Sequence, residues 1–159
     1  LPHLELTRKI ARRFNERFSP NAPLFPVPDA LLSDLPVVLG TDGQKMSKSR
    51  GNTIMLRMTA EETAKAIKGA KTDADRHIAY DPQNRPEVAN LLRLVAICTG
   101  ESPEAVAERI GDGGGGKLKA LLTEALNANL APIRERRARY AADPAYIRNL
   151  LRKIGRGVV

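Results

Sequence analysis

The chain has 159 residues, 42% of them apolar, and carries 26 Lys plus Arg against 18 Asp plus Glu, a formal charge of +8. That length allows one domain or two small ones, and the lack of any run of about 18 apolar residues excludes a membrane-spanning helix. A single cysteine, Cys98, excludes an internal disulfide and fits a reducing, cytoplasmic compartment, while the positive balance favours polyanionic partners, nucleic acid first.

Residues 3–18 predict a helix, because Leu6, Ile10, Phe14 and Phe18 recur every fourth position and form one apolar stripe. Arg8, Lys9, Arg12, Arg13 and Arg17 lie mostly off that stripe, as a solvated face. Five prolines follow within 19–36 (Pro20, Pro23, Pro26, Pro28 and Pro36), a density that forbids a helix and predicts an extended connector. Val37, Val38 and Leu39 predict a short buried strand leading into a glycine-bearing loop, and Thr53–Ile54–Met55–Leu56 a second one.

From there the pattern is helical. Thr59-x-x-Glu62 is a capping box, predicting a helix to about Ala70. Residues 71–85 are polar and irregular. Pro86 suits the first turn of the next helix, on which Val88, Leu91, Leu92 and Val95 share a face. Ser102-Pro103-Glu104 opens another, ending near Gly111. Leu118, Leu121, Leu122, Ala125, Leu126 and Ile133 mark a long amphipathic helix, and Asp143-Pro144 starts a last one. The chain thus reads as α/β up to about residue 57 and as all-helical from about 59. It begins with Leu1 inside a helical pattern, which predicts a fragment of a longer protein.

Charge is unevenly spread. Residues 117–159 hold ten Lys or Arg against three Asp or Glu, a net of +7, and Arg134, Arg136, Arg137 and Arg139 cluster within six residues. A solvated surface and a nucleic-acid-binding face both fit this asymmetry.

Three other features carry little chemistry. Gly111-Asp-Gly-Gly-Gly-Gly116-Lys117 follows most of the phosphate-loop pattern, but Leu118 stands where a magnesium-binding hydroxyl is needed, and a helix rather than a strand precedes it. It predicts a flexible helix–helix connector. His3 and His77 have no ligand-spaced partners, so no metal site is expected. Cys98 sits in an apolar run without an activating neighbour, as a buried structural thiol.

The informative stretch is Gly40-Thr-Asp-Gly-Gln-Lys-Met-Ser-Lys-Ser-Arg-Gly-Asn52. Lysine is a compact charge on a flexible stem, and Lys45 and Lys48 on one glycine-flanked loop can close on a polyphosphate together. Ser47 and Ser49 add hydroxyl donors. A loop after a strand of an α/β sheet is where ligands bind in such folds.

Lys45-Met46-Ser47-Lys48-Ser49 resembles the KMSKS signature of class I aminoacyl-tRNA synthetases in all five letters, a chance match on the order of 10⁻⁵ to 10⁻⁴ at average residue usage. The opening HLELTRKIARRFN, the loop DGQKMSKSRGNTI, and the stretches AKTDADRHIAYDP and PEVANLLRLVAICTG resemble tryptophanyl-tRNA synthetases. The likeness covers nearly the whole chain and weakens after about residue 141. It implies a mainly α chain: residues 1–57 as the C-terminal remnant of a Rossmann-type α/β catalytic domain, and 58–159 as an α-helical anticodon-binding domain.

The resemblance further implies activation of tryptophan with ATP, release of pyrophosphate and transfer to tRNA(Trp), with Mg²⁺ carried on the ATP. It makes Lys45 and Lys48 catalytic, with Met46, Ser47 and Ser49 in the same ATP-binding loop and Val37 or Val38 backbone at the adenine. Arg134, Arg136, Arg137 and Arg139 would then contact tRNA, in a homodimeric full-length enzyme. The family's HIGH-type and G-x-D-Q segments are not in this sequence, so the chain alone is expected to be inactive, and IGRGVV does not resemble the family's C-terminal helix. A non-catalytic RNA-binding module derived from such an enzyme and a tyrosyl relative are the alternatives. Tyr140 and Tyr146 are the only aromatics after residue 80, so hydrogen bonding rather than stacking is expected to carry most base readout.

Overall fold

A computed structural model describes residues 2–32 and 37–156, in two compact units, 1–36 and 37–159. Pro36 of the proline-rich stretch, Leu1 and the last three residues lie outside the described residues.

In the first unit, helix α1 spans Pro2–Phe18. The described part of the proline-rich segment after it has no helix, as its prolines dictate, yet it is tied to α1 by side chains. The Asn15 Oδ1 accepts from the N–H groups of Leu24 and Phe25, both at 3.0 Å, and its Nδ2 donates to the Phe25 carbonyl at 2.7 Å. Arg8, expected in solvent, donates to the Pro28 carbonyl at 2.8 Å and pairs with Glu5 and Asp29. Phe14 packs edge-on against Phe25, ring centroids 4.8 Å apart. The predicted stripe is otherwise uncovered, with Leu6, Ile10 and Phe18 at 56%, 59% and 65% exposure.

The second unit contains α2 (Ala60–Lys68), α3 (Pro86–Thr99), α4 (Pro103–Ile110), α5 (Gly114–Ala141) and α6 (Pro144–Arg156). The start signals act as read. Thr59 Oγ1 accepts from the Glu62 N–H at 3.1 Å while Glu62 accepts from the Thr59 N–H at 2.8 Å. Pro86 and Pro103 occupy first turns, and α3 ends at Gly100 with φ +77°. Val88, Leu91, Leu92 and Val95 of α3 are buried against Ile67 of α2, Val106 and Ile110 of α4, and Leu118 and Leu122 of α5. No described helix is long and apolar enough to cross a membrane.

Two local expectations change. The predicted strands do not form among the described residues; the only pairing is an isolated antiparallel bridge between Leu39 and Lys45. Val37 is 50% exposed rather than buried. An extended segment becomes a strand only where a neighbour completes its hydrogen-bond ladder. The glycine run is also helical rather than a loose connector. Gly111–Gly113 forms one 3₁₀ turn and Gly114 already starts α5. Gly111 and Gly114 take φ of +52° and +73°, which favours glycine at both, and a Cβ on Gly115 would crowd Thr72 Oγ1 at 3.1 Å.

Candidate functional site

The signature loop is anchored at its base and open at its tip. The backbone turns at 40–44, where the Gly40 N–H donates to the Gln44 carbonyl at 2.7 Å and the Gly43 N–H to the Gly40 carbonyl at 3.0 Å. The Met46 N–H then donates to the Val38 carbonyl at 3.2 Å. Lys48–Arg50 forms a 3₁₀ turn, closed by Gly51 at φ +68°.

Asn52 holds these pieces together. It is 3% exposed. Its Oδ1 accepts from the Ser47 N–H at 2.8 Å, and its Nδ2 donates to Asp42 Oδ1 at 2.7 Å and to the Lys45 carbonyl at 3.3 Å. Asp42 in turn accepts from the Gln44 N–H at 2.9 Å. The Asn52 amide, then the Gln44 N–H and more weakly Arg50, hold the Asp42 carboxyl below the usual carboxylate range. Gly40 is indispensable to this packing, since a Cβ there would lie 2.4 Å from Asn52 Cγ.

A second asparagine fastens the loop's entry to the helical core. Asn90 of α3, 5% exposed, accepts from the Leu39 N–H at 3.0 Å and donates to the Leu39 carbonyl at 3.2 Å. It stands in for a neighbouring strand. The Lys71 N–H donates to the Thr41 carbonyl at 2.7 Å, and Lys71 pairs with Glu87 at 2.8 Å, which holds the Glu87 carboxyl down and the Lys71 ammonium up. Sequence reading missed both asparagines. The available signal was Asn90 itself, a polar residue inside the apolar run of α3.

The predicted site residues divide into anchors and free groups. Lys45, Lys48 and Ser49 are exposed, and Met46 and Ser47 partly so. Among the described residues no carboxylate lies within ion-pair distance of either lysine. Ser47 and Ser49 hydroxyls bond each other at 2.9 Å. Met46 points the other way, joining Leu39, Ile54, Ile67 and Leu91 around a crevice of about 10 Å³. The Val38 carbonyl is taken by Met46, whereas Val37 is half exposed. Chemically, two unneutralised ammonium groups on a pinned backbone offer a polyanion site in open solvent.

The basic cluster on α5 is less uniform than its sequence. Arg136, Arg137 and Arg139 are exposed. Arg134 is partly buried, donating at 2.8 Å to Asn127 Oδ1 and at 2.8 Å to Thr63 Oγ1 of α2, and its Nε is buried without a partner. Its guanidinium ties two helices together. Elsewhere, Cys98 is half-buried and burial pushes its thiol up, away from nucleophilic character. His77 pairs with Asp112 at 2.8 Å on the surface.

The family description "tRNA synthetases class I (W and Y)" matches residues 2–131. The chain belongs to that family. Its curated relatives include the tryptophan–tRNA ligase of Thermosynechococcus vestitus, 44% identical over 158 residues (95% of this chain, 48% of the relative), and that of Gloeobacter violaceus, 40% identical over 157 residues (95% and 46%). Among solved structures, the tryptophanyl-tRNA synthetase of Campylobacter jejuni, complexed with ADP and tryptophan, superposes with a TM-score of 0.64 at 28% identity, covering 94% of this chain and 46% of that one. The Mycoplasma pneumoniae enzyme gives 0.65 at 26% identity, covering 84% and 43%. The chain is thus a mainly helical tryptophanyl-tRNA synthetase homologue that spans about half the length of the curated relatives it matches.

Proposed function

We propose that the chain is part of an ATP-dependent ligase that activates tryptophan as the adenylate and transfers it to tRNA(Trp). In this reading residues 1–57 belong to a catalytic domain of Rossmann type and 58–159 to a helical anticodon-binding domain, within a cytoplasmic homodimer. One observation carries it: the KMSKS lysines stand exposed and unneutralised on a loop whose backbone Asn52 pins. Lys45 and Lys48 stabilise the charge that builds on pyrophosphate as it leaves, an effect concentrated in the transition state. Ser47 and Ser49 donate to the same phosphates, which bring Mg²⁺ with them. Met46 anchors the loop, and backbone at Val37 or Val38 meets the adenine. Arg136, Arg137 and Arg139 supply tRNA phosphate contacts, with Arg134 serving chiefly to shape α5 behind them.

The test replaces the equivalent half of the Thermosynechococcus vestitus ligase with this chain and measures tryptophan-dependent pyrophosphate exchange. Lys48→Ala in that chimera is expected to slow exchange by two or more orders of magnitude, about 3 kcal/mol of transition-state stabilisation, with tryptophan binding nearly unchanged. Exchange at the unsubstituted rate would remove the loop from catalysis. The 159 residues alone are expected to form no adenylate.

A non-catalytic RNA-binding module is the second reading. It is favoured by the second unit's core, which helices α2 to α5 and the segments between them complete. A well-folded chimera that binds tRNA but never supports exchange, while the parent ligase does, would favour it.

A further inference from the structure

The junction of α5 and α6 brings together the two tyrosines that lie farthest along the sequence. Tyr140 is in the last turn of α5 and Tyr146 in the first turn of α6. Their rings stack with centroids 6.0 Å apart and planes 15° from parallel. The Arg139 guanidinium lies 5.0 Å from the Tyr140 centroid, and its Nη2 donates to the Tyr140 hydroxyl at 3.2 Å. Asp143 accepts from the Tyr146 N–H at 2.9 Å, which caps α6. The two residues nevertheless stay 41% and 48% exposed, leaving part of this aromatic pair open to solvent in a strongly basic region.

Tyr146 borders a groove and an open surface. The groove, about 250 Å³, is lined by Arg139, Tyr140, Asp143 and Tyr146. The open surface runs along α6 and is formed by Tyr146, Asn149, Leu150, Arg152 and Lys153. It combines an aromatic ring, an amide able both to donate and to accept, and two cations. None of Arg139, Arg152 or Lys153 pairs with a carboxylate among the described residues.

We propose that Tyr146, backed by Tyr140 and Arg139, is a stacking platform for one unpaired base of a single-stranded RNA segment, with Asn149 at the base edge and Arg152 and Lys153 on the adjoining phosphates. The proposal rests on the RNA-binding reading above and deepens it. The net charge of +7 over 117–159 selects a polyanion over a neutral protein segment. The exposed aromatic faces select unstacked bases over a duplex, whose bases are already covered. The scarcity of aromatics leaves most base readout to hydrogen bonding, and the Tyr140–Tyr146 pair is where stacking can add to it.

The test titrates the 159-residue chain with a fluorescein-labelled single-stranded RNA and with a duplex RNA of equal length, across salt concentrations. Tyr146→Ala is expected to weaken the single strand about tenfold, within the range for loss of one stacked aromatic, while leaving the salt slope and duplex binding unchanged. Tyr146→Phe, which keeps the ring and the packing, should bind like the parent. Replacing Arg152 and Lys153 by Gln should flatten the salt slope for the single strand. If Tyr146→Ala binds the single strand as the parent does, the platform is overturned while RNA binding stands. If the parent binds neither RNA, the RNA-binding reading falls, and the platform with it.

Discussion

Asn52 shows how one residue sets the geometry of a loop whose charged groups receive the attention. The lysines are chemically potent but cannot position themselves; each carries a long, flexible stem. What can be fixed is the backbone beneath them, and a buried amide with one acceptor and two donors does this at three points: the Ser47 N–H, the Lys45 carbonyl and Asp42. Asn52→Ala leaves the Ser47 N–H and the Lys45 carbonyl without this partner and opens a gap beside Gly40. The expected loss is about 2 kcal/mol of stability, measured by urea unfolding. A second readout separates positioning from packing. The Asn52 amide is the largest influence holding the Asp42 carboxyl down, so its removal should raise that group toward the ordinary carboxylate value, as followed by carboxyl NMR titration. An Asp42 that titrates as before would show that the amide does not hold it.

At the scale of elements, what matters is which helix is fastened to which. Helix α5 runs 28 residues, through Pro132 and from a glycine-rich start that propensity alone disfavours. Burial of Leu118 and Leu122 in the common core outweighs that poor start. Beyond the core, Arg134 continues the attachment by reaching Thr63 and Asn127. Thr63 is fully buried, so its hydroxyl depends on that guanidinium. Arg134→Gln is expected to destabilise the unit by about 1.5–3 kcal/mol, the cost of losing hydrogen bonds to a charged group. Arg136→Gln and Arg137→Gln, both on the exposed face, should each stay within about 0.5 kcal/mol of the parent. Calorimetric melting of the three variants checks this, and equal melting temperatures would return Arg134 to the surface cluster. Four arginines within six residues look equivalent in the sequence. Only the helix phase relative to α2 makes one of them structural.

For the whole molecule, stability should fall in acid for an identifiable reason. Arg85 grips Asp73 with two hydrogen bonds of 2.7 and 2.6 Å, and the Asp73 carboxyl is held down chiefly by that contact. Asp42, Asp81 and Glu87 are lowered as well. A carboxyl with a lower folded than unfolded value binds fewer protons when folded, so its contribution is present above the unfolded value, near pH 4, and is lost as pH falls through the folded value. The melting temperature is expected to drop below about pH 4, and Asp73→Asn should make that drop shallower; an unaltered acid slope would count against the Asp73–Arg85 pair. Much of this protein is written locally. Capping residues, first-turn prolines and the 3.6-residue spacing of apolar side chains locate α2 to α6 because they act within one or two turns, and five consecutive residues suffice to mark the lysine loop. The tertiary structure alone decided the rest. It replaced two predicted strands with a single bridge, turned a glycine run into a close-packed corner, made Asn52 and Asn90 the loop's supports, and brought Tyr140 to Tyr146. Each of these depends on which particular groups meet in space, some a few residues apart, as Asn52 with Ser47 and Tyr140 with Tyr146, and some far along the chain, as Asn90 with Leu39 and Gly115 with Thr72, and such meetings leave no periodicity in the sequence to read.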